Sequence, residues 1–284
     1  MRRVLVTGAA GLIGSATVSH LTAAGVAVTG LVLEPAALPC DRIVVGDATD
    51  PKTVADALCD ADAVIHLAAI PSPLRDPAEV VFGRNTLATF TVLDQAGRAG
   101  IERIAYASSY AICGLPFGVR PQRMPYLPID TALPLQITDA YALSKRTDEE
   151  TAAMIHRRYG TTVVGLRLPF VGTVGDRLPS VAQDWADNPE KGANDVWSYL
   201  DARDAAAALT AALTPAEEGN HTVYVAAPET LSPYPTESLV ARYHPGVPHP
   251  PFEGRAVPID LTGARALLDF TATHPFPVTA RPLP

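Results

Sequence analysis

Short apolar runs of strand length alternate with segments of helical spacing from Val4 to about residue 168. Val4–Val6 and residues 26–33, 42–45, 63–67, 103–108 and 162–168 read as strands. The run at 63–67 is almost continuously apolar, as suits a parallel strand covered on both faces. Residues 12–24, 51–58, 76–99 and 140–159 carry the helical spacing, and Gly25, Gly100 and Gly160 stand where three of these helices stop. This alternation predicts right-handed crossovers and an α/β fold built on a doubly wound parallel sheet. After Pro169 the pattern breaks up. Residues 170–197 read as loop with one short helix, 196–200 as a short strand, 201–213 as an Ala-rich helix and 221–226 as a last sheet strand. Short helices follow at 235–243 and 260–269, and residues 271–284 read as an extended or frayed tail.

The first strand leads into Thr7-Gly8-Ala9-Ala10-Gly11-Leu12-Ile13-Gly14. A glycine at 8 lets the chain turn sharply, one at 11 lets backbone approach a pyrophosphate, and one at 14 lets the helix pack closely. The helix start then offers free N–H groups and a partial positive charge to phosphates. A plain tight strand–helix turn is the bland alternative, but the strand before and the helix after favour a dinucleotide site. Residues 1–168, completed by 196–226, are therefore expected to form the dinucleotide-binding domain. Residues 169–195 and 227–284 are expected to form a small substrate-binding cap over the carboxyl edge of the sheet.

Tyr141 and Lys145 lie four residues apart near the start of the helix at 140–159, hence on one helix face. A free tyrosine has a pKa near 10, and a neighbouring ammonium stabilises its phenolate. Such a pair can exchange a proton with an alcohol or carbonyl while hydride moves to or from a nicotinamide. Ser108 and Ser109 end the fifth strand, where a hydroxyl can hold a substrate oxygen. Each feature alone has a structural alternative, two solvated side chains or a hydroxyl bonded to local backbone. Their order on consecutive units favours chemistry.

Composition narrows the setting. The 284 residues carry a net charge of −8, which argues against an extended nucleic-acid surface. No apolar run is long enough to span a bilayer, and Met1-Arg2-Arg3 is better read as the lead into a strand than as a signal peptide. Cys40, Cys59 and Cys113 are odd in number and lack metal-ligand spacing, which predicts free thiols, a reduced cytoplasmic setting and no metal site.

These motifs resemble the extended short-chain dehydrogenases/reductases of the NAD-dependent epimerase/dehydratase family, and the resemblance covers residues 4–226. It implies a Rossmann fold and a role for each position. The turn residues Gly8, Ala10, Gly11, Leu12, Ile13 and Gly14 would cradle the cofactor. Asp47 and Ala48, in Gly46-Asp47-Ala48-Thr49-Asp50, would meet the adenine. Leu67, Ala68 and Ala69 would run beside the cofactor, as would Ala107, Leu168 and Pro169. Asn85 would help build the active site. Tyr141 would be the general acid/base, and Lys145 would bind the nicotinamide ribose and tune Tyr141. Counting back from Gly114, the catalytic hydroxyl is Ser109. A homodimer through the helices at 76–99 and 140–159 is also implied.

Departures from the family pattern shape the function. Tyr110 and Ala111 stand where dehydratases carry an acid pair, and Phe170 stands where nucleotide-sugar epimerases carry an Asn. A dehydratase is therefore disfavoured and a substrate smaller than a nucleotide sugar is expected. In length and compact cap the chain is similar to uronate dehydrogenases. Glu34 lies 20 residues after Gly14, and no Arg or Lys occurs between Arg3 and Arg42. An acid there accepts from a ribose 2′-OH and repels a 2′-phosphate, favouring NAD, with NADP as the alternative. His66 is expected beside the cofactor rather than as a ligand, and Arg75, Arg167 and Arg177 are candidates for a substrate carboxylate. The expected function is an NAD(P)-dependent oxidoreductase acting on a sugar-like or other small alcohol or carbonyl. An epimerase with retained NAD and a non-catalytic NAD(P) sensor are the alternatives.

Overall fold

In the computed structural model, which describes residues 1–118, 120 and 122–284, the β-branched runs form one sheet. Its strands are β1 (Arg3–Thr7), β2 (Ala27–Val32), β3 (Arg42–Val45), β4 (Ala63–His66), β5 (Arg103–Ser109) and β6 (Thr162–Leu168). A late strand from Asn220 to Tyr224 completes it. Every pairing is parallel, and the order is β3-β2-β1-β4-β5-β6 with the late strand beyond β6. The order reverses between β1 and β4, so a crevice opens at their carboxyl ends. The sheet is thus doubly wound and parallel, as the alternation predicts.

Period-two side-chain direction divides the core. Val4 and Val6 of β1 point to one face, with α1 (Leu12–Ala23), and Leu5 points to the other. That second face is covered by α2 (Pro51–Ala57), α3 (Ala78–Arg98) and α4 (Ala140–Tyr159). Asp50 caps α2 by accepting from the Lys52 and Thr53 amides, and Asp139 caps α4 by accepting from Ala142 N. Each satisfies N–H groups that a helix start leaves free.

The chain after Pro169 has more structure than its loop-like sequence predicts. β7 (Phe170–Gly172) is followed by α5 (Arg177–Asp187) and a 3-10 segment at Pro189–Asp195. β8 is Tyr199–Asp201, not 196–200, because Val196 and Trp197 adopt left-handed φ of 43° and 52° and cannot extend. It pairs with β7 in a separate two-stranded sheet. Then come α6 (Ala202–Ala211), the late strand, now β9, α7 (Thr236–Tyr243) and α8 (Thr262–Leu268). Asp201 caps α6.

The tail is extended but not frayed. The buried Asp204 carboxylate accepts from the Thr273 and His274 amides, and Tyr199 Oη accepts from Phe276 N at 2.7 Å. Arg281 donates through its amide to the Pro233 carbonyl and through its guanidinium to the Ala186 carbonyl. Paired buried groups of this kind hold a segment that has no ladder of its own.

Candidate active site

The β1–α1 turn works by close approach. Gly8 has φ +64°, and a Cβ there would stand 2.8 Å from Ala68 N. A Cβ on Gly14 would stand 2.2 Å from the Gly8 carbonyl oxygen, so this glycine lets the helix close on the turn itself rather than on the strand. Gly11 is the N-cap of α1, and no side chain bonds to the helix start. The unpaired N–H groups of such a start suit an anion.

A cavity of about 650 Å³ runs from this turn to Phe170, Arg177 and Asp195. It brings together Gly8, Gly11, Leu12, Ile13, Gly14, Leu67, Ala69, Ala107, Ser109, Tyr141, Lys145, Leu168 and Pro169 from the expected set. Ala10, Glu34, Asp47, Ala48, Ala68 and Asn85 are not among its lining residues. Glu34 is exposed just past β2, with no hydrogen-bond partner among the described residues. Asp47 accepts from Thr49 N at 2.9 Å and pairs with Arg84 at 2.5 Å. Burial opposes the Asp47 charge, but Thr49 and Arg84 outweigh it and hold the carboxyl below its usual pKa. Asn85 accepts from Ile70 N at 2.8 Å, and its amide donates to Ile70 O and Ser144 Oγ. It ties the loop after β4 to α4.

The two serines divide their work. Ser108 Oγ donates to Glu149 Oε1 at 2.7 Å in the core. Ser109 Oγ accepts from Ala111 N at 3.1 Å, leaving its proton free at the cavity wall. The Tyr141 hydroxyl has no protein partner among the described residues, and its ring meets Phe117 edge-on at 6.0 Å. Lys145 Nζ donates to Ala107 O at 3.0 Å and to Asp148 Oδ2 at 3.2 Å, and lies 6.0 Å from the Tyr141 ring centre. Burial opposes the Lys145 charge, but Asp148, Tyr141 and Glu149 outweigh it and raise its pKa. The lysine is therefore a fixed cation.

His66 is held between Thr7 Oγ1 at 2.8 Å and Thr89 Oγ1 at 3.1 Å, and burial pushes its pKa down to about 3. It is a neutral core group. Arg167 is removed from the list of carboxylate receptors, because Glu149 takes it through Nε and Nη2, both at 2.9 Å. Arg75 and Arg177 do line the cavity. Burial pushes the Cys113 thiol up to about 12, which leaves it unreactive. Sequence reasoning did not nominate Asp195, a cavity residue in a stretch without periodicity or motif. Among the described residues, no cluster of His, Cys, Asp or Glu is placed to hold a metal ion.

Fold and turn together define a doubly wound α/β protein with a phosphate-type glycine turn at its switch point. The chain belongs to the NAD dependent epimerase/dehydratase family, whose pattern matches residues 4–227. It is 30% identical over 288 residues to a 3-diazoavenalumate denitrifying reductase from a Streptomyces species, covering 96% of this chain and 89% of that protein. It is 30% identical over 169 residues to uronate dehydrogenase from Pseudomonas putida, covering 58% of this chain and 60% of that protein. The match thus spans less than two thirds of that relative. Its fold is similar to a short-chain dehydrogenase/reductase superfamily protein from Agrobacterium tumefaciens solved with bound NAD. That likeness has a TM-score of 0.72 at 24% identity, over 96% of this chain and 93% of the other.

Proposed function

We propose that this chain is an NAD-dependent oxidoreductase that moves hydride between nicotinamide and a small alcohol or carbonyl, with a sugar-like molecule as substrate. The carrying observation is that the unpartnered Tyr141 hydroxyl, Lys145 and Ser109 share one cavity with the glycine turn. The turn suits a pyrophosphate, since Gly8 and Gly14 leave no room for side chains and the helix start is uncapped. The NAD bound by the Agrobacterium relative agrees with this. The cofactor supplies the hydride acceptor or donor, and Glu34 favours NAD over NADP by position.

The chain's own groups do the rest. Ser109 Oγ–H holds the reacting oxygen. Tyr141 Oη takes the proton when an alcohol is oxidised and returns it when a carbonyl is reduced. Lys145 keeps a positive charge 6.0 Å from the Tyr141 ring centre and has one donor left after Ala107 and Asp148. Phe117, Phe170 and Pro169 line the cavity and limit water. Arg75 and Arg177 suit an anionic end of the substrate.

Mass spectrometry of what the purified protein releases on denaturation tests this reading. An exchanging NAD, absent after purification but bound on addition, is expected. Stoichiometric retained NAD would favour an epimerase, and failure to bind either dinucleotide would overturn the proposal. The face shared by α3 and α4 leaves Leu87, Phe90 and Leu143 exposed, which supports a homodimer through these helices.

A further inference from the structure

Asp195 ends the 3-10 segment of the cap and lines the cavity beside Tyr110, the residue directly after Ser109. The Tyr110 hydroxyl lies 2.8 Å from Asp195 Oδ1 and 2.9 Å from the Asn194 carbonyl oxygen. A phenol has one proton, and a carbonyl has none to offer. With Asp195 ionised, the phenol can satisfy only one of two close acceptors. With Asp195 protonated, Oδ1–H donates to Tyr110 Oη while Tyr110 donates to Asn194 O, and both contacts are favourable. Burial pushes Asp195 up to about 6 against the opposing bond from Tyr110, so the acid gains its proton only on the acid side of neutral and both arrangements are accessible to it.

The backbone holds this carboxyl in place at some cost. Val196 and Trp197 follow it with φ of 43° and 52°, which non-glycine residues rarely adopt. Trp197 is fully buried, donates from Nε1 to Pro189 O at 2.7 Å and packs edge-on against His244. Strain of this sort persists only where the surroundings over-determine it, and it clusters at working sites. Asp195 Oδ2 has no hydrogen-bond partner among the described residues.

We propose that Asp195, backed by Tyr110, is a hydroxyl-recognition site of this cavity, taking a substrate hydroxyl other than the one served by Tyr141. Asp195 Oδ2 accepts from a hydroxyl whether or not Oδ1 carries a proton, so the pair selects a polyhydroxylated substrate. The inference rests on the oxidoreductase reading and gives its substrate a second fixed point. Several titratable groups surround the acid. Tyr110 and Cys113 come from the turn after β5, and behind them stand Tyr224 of β9, beside Tyr110, and Arg167 of β6, beside Cys113. His244, after α7, bonds Ala193 O, and Arg75 and Arg177 lie in the same cavity.

The test is carboxyl-carbon NMR of the full chain labelled at aspartate. One resonance titrating at about pH 6 is expected in the wild type and absent in Asp195→Asn. Tyr110→Phe removes the hydroxyl bonded to Asp195 Oδ1, so the same resonance titrates at a shifted pH, which also assigns it should Asp195→Asn not fold. D-glucose or D-glucuronate with NAD present is expected to shift the resonance, and cyclohexanol, with one hydroxyl, is not. The proposal fails if every aspartate titrates in the ordinary range, or if neither sugar moves this resonance. Tyr141→Phe separates the two readings. Its full retention of NAD-linked turnover would remove Tyr141 as the proton carrier, and absence of NAD-linked turnover in the wild type itself would remove the oxidoreductase reading, neither touching the Asp195 titration.

Discussion

In the proposed reaction Tyr141 moves the proton, and its phenol has no protein partner among the described residues of the cavity it lines. Tyr141→Phe keeps the ring contact with Phe117 and removes only the proton. Turnover is expected to fall by about 10²–10⁴-fold, the usual share of general acid/base catalysis, with dinucleotide affinity unchanged in a fluorescence titration. His66 gives a second test, on stability. Its folded pKa of about 3 lies below the unfolded value of 6.5. The unfolded chain therefore binds more protons, and stability present above pH 6.5 is lost as pH falls toward 3. Urea midpoints at neutral pH and at about pH 5 are expected to draw apart less in His66→Gln than in the wild type. The spacing of Tyr141 and Lys145 was legible in the sequence, and the family resemblance singled out Ser109 by its distance from Gly114. That Ser108 is occupied by Glu149 was not, because the partner comes from a helix 41 residues away.

Elements show where local pattern suffices. Each sheet strand before Pro169 lies within one or two residues of its expected bounds, because strand length and apolarity reflect burial on both faces. The glycine turn was equally legible, but what Gly14 touches was not. Gly14→Ala sets a Cβ 2.2 Å from a carbonyl oxygen that cannot move without the turn. A loss of about 1–3 kcal/mol in urea unfolding and weaker NAD binding in the same variant are expected. Asp139→Ala removes the cap of the helix that carries Tyr141 and Lys145. It is expected to cost about 1 kcal/mol. The same unfolding measurement checks it. After Pro169, the left-handed φ of Val196 and Trp197 moved β8 later, and no propensity predicts that conformation for a β-branched residue.

At the scale of the whole molecule, α3 and α4 pack together and present Leu87, Phe90 and Leu143 outward. The pair Leu87→Glu with Phe90→Glu is expected to convert a dimer to a monomer in light scattering, and a monomeric wild type would defeat that expectation. By itself the sequence determined the sheet, and it nominated the glycine turn and the set of Ser109, Tyr141 and Lys145 that the proposal uses. These depend on periodicity and short spacings, which local chemistry dictates. Only the tertiary structure decided which candidates meet in one cavity, that Arg167 is spent on Glu149 and that the tail is pinned by Asp204. It alone brought Asp195 from the cap to Tyr110. Such contacts join residues tens of positions apart, and their energy comes from burial and hydrogen bonds that exist only once the chain has closed.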